Sequence, residues 1–277
     1  MSGDWSVEQV GAVEALARLL PSSVDLVLTD PAYESLERHR KHGTTTRLKQ
    51  SEGSSNEWFP IFPNAQLPDL LRGMYRVLKP ERHSYVLCDE ETADIVKVIA
   101  EETGFYVWKT LVWVKTLSAS VGEPVGDRGT WTAAGVAAAQ VRRGMGYHFA
   151  ASTERIVFLE KRSAPYVRAA PPGMFGGSDR FAPKKDPPGR GRKVMGGECD
   201  VLFAPRVTGY PTEKPVNLLR KLVWASTEHG ELVVDPFCGS GSTGEAAVGL
   251  GRRVKLYDVA DKAIATTTAR MNALGGT

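Results

Sequence analysis

The stretch ELVVDPFCGSGSTGEAAVGLGRRVKLYDV, residues 231–259, constrains the fold more than any other part of the chain. It reads as an apolar strand, a glycine loop, a helix and a second strand, the order of a βαβ unit. Gly239, Gly241 and Gly244 keep the spacing G-x-G-x-x-G. Glycines so placed allow a tight turn and close backbone approach, and the following helix N-terminus offers free N–H groups. Asp258 closes the second strand 19 residues after Gly239, where a carboxylate accepts hydrogen bonds from ribose hydroxyls. The spacing alone leaves NAD and other adenosine-bearing cofactors open.

Two features weigh against NAD. The pair Asp235-Pro236 precedes the loop, and a carboxylate there repels a pyrophosphate but tolerates a cation. Only 19 residues follow Asp258, so the strands that complete the sheet must come from the N-terminal side. S-adenosylmethionine carries an ammonium and a sulfonium and no phosphate, so it fits this loop better. Phe237, Cys238, Ser240 and Thr243 complete the candidate cofactor-binding segment.

The rest of the chain alternates strand and helix patterns, which predicts an α/β fold with a largely parallel sheet. Strands are expected near 6–10, 24–29, 84–88, 106–114, 154–160, 231–235 and 253–258. Helices are expected near 12–19, 66–78, 90–102, 214–226, 242–250 and 261–273, with Lys79-Pro80 stopping the second. Residues 161–197 break the rhythm with prolines and glycines, and residues 161–193 hold nine Lys or Arg against Asp179 and Asp186. A basic insertion of this length in a compact domain is functional or disordered rather than core. Three scattered cysteines, Cys88, Cys199 and Cys238, argue against a disulfide framework or a metal site. No apolar run approaches the ~18 residues of a membrane span, and the N-terminal segment lacks signal-peptide character. A cytoplasmic location is therefore expected.

The apolar run at 24–28 ends on Thr29-Asp30-Pro31-Ala32-Tyr33. Alone, Asp-Pro after a strand reads as a turn. Its setting changes that. DPAY (30–33) resembles the D-P-P-Y motif of the DNA amino-methyltransferases, which methylate exocyclic amines of adenine or cytosine. RVLKPERHSYVLCDEE (76–91), LVWVKT (111–116), MGYHFAASTERIVFLEKR (145–162), YPTEKPVNLLRKLVWAS (210–226) and DPFCGSGSTG (235–244) resemble that family's further segments, in the family's order. With the catalytic motif first and the cofactor loop last, the arrangement resembles the β class. Physically it is a circular permutation: the strands at 231–235 and 253–258 open a seven-stranded, mostly parallel Rossmann-like sheet. The five N-terminal strands complete it, and the pair near 106–114 and 154–160 contains the antiparallel one.

The resemblance implies a catalytic core at 1–160, a target-recognition insertion at 161–209, and a second core segment at 210–277 with the cofactor loop. It implies S-adenosylmethionine as cofactor, double-stranded DNA as substrate, and a homodimer and a cognate restriction endonuclease as partners. It implies that Asp30 and the Pro31 carbonyl accept the two hydrogens of a flipped-out amine, and that Tyr33 stacks on the base. Asp30 in place of serine leans the target toward adenine; cytosine, and a catalytically weak DNA-binding relative, are the alternatives. Thr212 and Lys214 read either as a helix start or as contacts to the cofactor's methionine end, and Asp89 as a helix cap. Arg38, Arg40, Lys41, Arg47, Arg142, Arg143, Arg180, Lys184, Lys185, Arg190, Arg192 and Lys193 are the candidate DNA contacts. Three departures stand out: Ala32 for the second proline, Tyr210 for a histidine, and Ala12 where the family often has an acid.

Overall fold

The structure is a computed structural model that describes residues 5–34, 60–116, 152–163, 199–207, 210 and 212–275. The candidate DNA contacts just named all lie outside the described residues. The strands are β1 (Trp5–Gln9), β2 (Val24–Thr29), β3 (Leu78–Cys88), β4 (Tyr106–Thr116), β5 (Thr153–Lys161), β6 (Val201–Pro205), β7 (Leu232–Asp235) and β8 (Arg253–Asp258). The helices are α1 (Ala12–Arg18), α2 (Leu67–Val77), α3 (Glu90–Thr103), α4 (Val216–Ser226), α5 (Ser242–Val248) and α6 (Asp261–Gly275).

The described strands form one eight-stranded sheet in the order β1-β8-β7-β2-β3-β5-β4-β6. β5 runs antiparallel to both its neighbours, and the other pairings are parallel. The two strands from the far end of the chain thus insert between β1 and β2, as the permuted order requires. Helices cover both faces. On one, Leu16, Leu70, Leu71, Met74, Val96 and Val27 form a buried cluster; on the other, Leu26, Leu28, Leu219, Leu222, Ala246 and Leu256 do. The helical spacing of Leu67, Leu70, Leu71 and Met74 is what turns that face of α2 inward.

The sheet differs from the sequence-based expectation in two places. First, the sheet has eight strands rather than seven: Val201–Pro205 pairs with β4, and the Trp113 indole donates to the Ala204 carbonyl at 3.0 Å. This short strand falls within the stretch read as the insertion. Second, β3 starts at Leu78, not near residue 84, so Pro80 lies inside a strand. The register against β2 slips between Val24↔Leu78 and Leu26↔His83, and Glu81 has φ +61°. Such a bulge is where a strand accommodates proline.

The bulge has an electrostatic consequence. It brings Lys79 Nζ to 2.8 Å and Arg82 Nε to 3.2 Å from Oδ1 of Asp25, which is 1% exposed. Asp25 Oδ2 accepts from the Leu232 backbone N–H at 3.0 Å, fastening β7 to β2. Removing one partner of a buried charged group leaves the others uncompensated. Asp25→Ala is expected to destabilise the fold by about 3 kcal/mol, read as a lower urea midpoint with an unchanged m-value.

Candidate active site

The central strands β2 and β7 each end on an Asp-Pro pair, Asp30-Pro31 and Asp235-Pro236. β7 continues through α5 to β8 on one side, while β2 leads to β3 on the other. The crevice beyond their C-terminal ends is therefore where the winding reverses, the place such sheets bind ligands.

The turn after β2 is pinned by its backbone. The Phe62 N–H donates to the Ala32 carbonyl at 2.7 Å, and Tyr33 pairs with Phe62 as an isolated parallel bridge. The Asn64 N–H donates to Glu34 Oε1 at 2.9 Å. The tetrad 30–33 is thus held although Ala32 lacks a proline ring. The Phe62 ring meets Phe237 edge-on, with centroids 5.0 Å apart, which joins this turn to the glycine loop.

In that loop Gly239 and Gly241 have φ +49° and +81°, a region glycine enters without cost. A Cβ on Gly244 would stand 2.6 Å from Leu256 Cδ1 and Met271 Sδ, so its absence lets α5 close onto β8 and α6. The Gly239 N–H donates to Asp258 Oδ2 and the Ala260 N–H to Oδ1, both at 3.0 Å. The Tyr210 ring reaches within 3.7 Å of where a Gly239 Cβ would be, lying over the loop. Burial, with Asp258 and Cys238 nearby, pushes its hydroxyl up to about 12. Cys238 packs in the core with its thiol pushed up by burial, the behaviour of a packing residue rather than a nucleophile.

Asp235 is 3% exposed and accepts from the Phe237 N–H at 3.0 Å. Burial pushes its carboxyl up to about 7, against the hydrogen bonds from Thr243 and Phe237, with the Asp30 and Asp258 charges adding to the rise. A buried acid of this kind, beside a glycine cradle, suits a cationic ligand better than a phosphate.

Lys214 joins the two halves of the crevice. Its ammonium, 8% exposed, lies 2.5 Å from Asp30 Oδ2 and 3.3 Å from Glu154 Oε2, and it donates to the Thr212 carbonyl at 3.2 Å. Glu154 Oε1 in turn holds Lys115 Nζ at 2.7 Å. Burial raises the Asp30 carboxyl to about 6; Lys214 opposes this and Glu154 reinforces it. Thr212 itself is at φ +63°, strained for a β-branched residue. That kink turns Lys214 inward. The expected helix start at 214 moves to Val216, with Pro215 as the cap and no side-chain cap bond. Asp89 does cap its helix, accepting from the Thr92 N–H at 2.9 Å. Among the described residues no group of three or more His, Cys, Asp or Glu could hold a metal ion, and no helix is long and apolar enough to cross a membrane.

The family model for DNA methylase matches residues 24–269. The chain belongs to that family. The DNA adenine methyltransferase YhdJ of Escherichia coli K12 is 25% identical over 256 residues, 87% of this chain and 74% of its own. The type II methyltransferase M.EcaI of Enterobacter cloacae is 60% identical over 47 residues, 17% of this chain and only 10% of that protein. Among solved structures, the protein TTHA0409 of Thermus thermophilus, complexed with S-adenosyl-L-methionine, superposes with a TM-score of 0.58 at 19% identity, covering 96% of this chain and 93% of that one. The cytosine-N4-specific PvuII DNA methyltransferase gives 0.61 at 15% identity, covering 98% and 87%. These structural likenesses speak for the fold.

Of this methylase's expected site residues, the crevice gathers Asp30, Tyr33, Asp235, Phe237, Gly239, Asp258 and Lys214. Thr212 contributes its carbonyl there while the residue as a whole is exposed, and Ala12 is buried at the start of α1. Glu154, Lys115 and Phe62 were missed in the sequence. Glu154 sits in the quoted segment at 145–162, and only the antiparallel pairing of β5 brings it to Asp30. The raised Asp235 carboxyl has a stability consequence. The native state binds its proton more tightly than the unfolded chain, so this contribution is complete below pH 4 and is lost as pH rises toward about 7. Asp235→Asn should therefore gain stability relative to wild type across that window, with a limiting slope of about 1.4 kcal/mol per pH unit, read by thermal unfolding at a series of pH values.

Proposed function

We propose that this protein transfers a methyl group from S-adenosylmethionine to the exocyclic amine of an adenine flipped out of double-stranded DNA. The observation that carries the reading is the side-by-side placement of the Asp30 turn and the Asp235 glycine loop at the ends of paired strands. When bound, S-adenosylmethionine supplies an electrophilic methyl group on a sulfonium. Asp235 faces its ammonium, Asp258 its ribose hydroxyls, and the backbone of 237–241 gives it room.

An exocyclic amine is a poor nucleophile because its lone pair is delocalised into the ring. The Asp30 carboxylate and the Pro31 carbonyl accept its two hydrogens and draw the nitrogen toward tetrahedral geometry. This is stabilisation by placed acceptors. A base within a duplex cannot reach Asp30, so it must leave the stack, which costs a few kcal/mol. Stacking on Tyr33 returns roughly 1–3 kcal/mol, and contacts from the basic segments to DNA phosphates supply the rest. The adenine-specific name of YhdJ supports adenine. The likeness to a cytosine-N4-specific enzyme supports a second reading, cytosine. The type II name of M.EcaI supports a restriction–modification setting with a cognate endonuclease, and a homodimer in the cytoplasm completes the proposal.

Modification-sensitive sequencing of DNA from a methylase-free host expressing the protein reports base and site together. N6-methyladenine is the expected product, and N4-methylcytosine would replace the adenine reading. Asp30→Ala should cut transfer of labelled methyl to DNA by about a hundredfold or more, while S-adenosylmethionine binding survives. Cofactor affinity should fall about tenfold per pH unit below pH 7, because protonation of Asp235 (about 7 in the free protein) removes the charge facing the ammonium. Calorimetric titration at pH 5.5 to 8.5 checks this, and Asp235→Asn should flatten the profile.

A further inference from the structure

Glu154 is a partly buried acid at the beginning of β5, 14% exposed, and it plays no part in the reaction just described. Its two oxygens face two lysines: Oε1 is 2.7 Å from Lys115 Nζ, and Oε2 is 3.3 Å from Lys214 Nζ. The second contact is an ion pair without hydrogen-bond geometry, for Oε2 has no hydrogen-bond partner. Lys214 instead directs its short hydrogen bond to Asp30. Two carboxylates thus compete for one ammonium, and one of them is the acceptor that the target amine must use. With Lys214 wholly committed to it, Asp30 would be a weak acceptor. Shared with Glu154, the ammonium orients Asp30 without neutralising it.

We propose that Glu154 is a positioning residue for methyl transfer: it shares the charge of Lys214 with Asp30 and so keeps the Asp30 carboxylate a strong acceptor. Lys115 limits this sharing from the opposite side. The inference rests on the proposed reaction. A bare counter-ion role fits less well, because Lys214 already pairs with Asp30 and Lys115 is partly hydrated at 20% exposure. The groups that face Asp30 are Lys214 from the segment before α4, Glu154 from β5, Lys115 from β4, Asp235 from β7, Cys88 from β3 and Tyr33 from its own turn. Burial of Asp30 and the Glu154 charge both favour its protonated form, while both lysines favour the ionised one.

The role predicts shifts of opposite sign. In Glu154→Gln, the Lys214 charge acts on Asp30 alone, so the acid limb of kcat/KM for DNA should move down by about one pH unit. Its plateau kcat should fall about tenfold, since a less basic acceptor assists less. In Lys115→Met the limb should move up. Both profiles are measured at saturating S-adenosylmethionine, where Asp235 is already ionised. Without cofactor or DNA, carbon-13 titration of aspartate-labelled protein should show the same two shifts in the Asp30 carboxyl, its signal identified by its loss in Asp30→Asn. Shifts of one sign, or none, in both readouts overturn the role. If Glu154→Gln does not fold, Lys115→Met decides alone: an upward shift supports the role and an unmoved one overturns it. A wild type that methylates no DNA sinks the proposed reaction and this role with it, whereas an active wild type with unmoved limbs overturns only Glu154.

Discussion

The pairing of β2 with β7 is the constraint on which the rest of the molecule depends. Only Leu26↔Val233 and Val27↔Val234 pair directly, yet they bring together segments more than two hundred residues apart. β7 ends on Asp235 and β2 just before Asp30, and each acid is followed by a proline, which lacks the N–H that would extend the ladder. In this register Asp30 stands further along than Asp235. Two acids are thereby carried to one edge of the sheet with their backbones turning away from it. Asp25 secures the arrangement from the opposite end through the Leu232 N–H. A single register slip would turn Asp30 to the other face of the sheet.

That edge is also where charge is expensive. Asp30, Asp235 and Glu154 are each largely removed from water, and a buried carboxylate without partners would take up a proton. The chain manages the three acids differently. Lys214 and Lys115 hold Glu154 below the ordinary carboxylate range against its burial. Asp30 shares Lys214 and is raised, and Asp235 has only dipoles from Thr243 and Phe237 and is raised further. The least compensated acid therefore lies beside the glycine loop, where a cation would be received.

Much of this was legible in the sequence, for local reasons. The glycine spacing, the Asp-Pro pairs and the helical period of α2 are read within a few residues of one another, and the structure keeps them. What escaped depended on partners distant in the chain. β6 has only five residues and ends in a proline after a long proline-rich stretch, so no alternation marks it. The helix does stop before Pro80 as read, but the strand around Pro80 escaped, because the bulge that accommodates it is held by contacts of Lys79 and Arg82 with the distant Asp25. Glu154 is an ordinary strand acid until β5 pairs with β3. Lys214 read as helix or ligand contact, because nothing local reveals that Thr212 adopts a left-handed backbone.

If the proposed reaction holds, the charges of the crevice would also couple its two substrates. Asp30 and Glu154 face Lys214 and Lys115, and Asp235 lies near both Asp30 and Asp258, so the site carries an excess of negative charge when its acids are ionised. Burial is the chief reason protons bind Asp235 and Asp30 well in the free protein, and the neighbouring acids add to it. A cationic cofactor arriving at the glycine loop would displace the proton from Asp235 first and, by its charge, favour the ionised form of Asp30 a strand away. The acceptor for the amine would then be fully formed only with the methyl donor in place. On this reading a base that flips into the crevice before the cofactor meets a partly protonated Asp30 and is held less firmly. The same buried acids that cost the fold stability above pH 4 would thus couple cofactor occupancy to capture of the base.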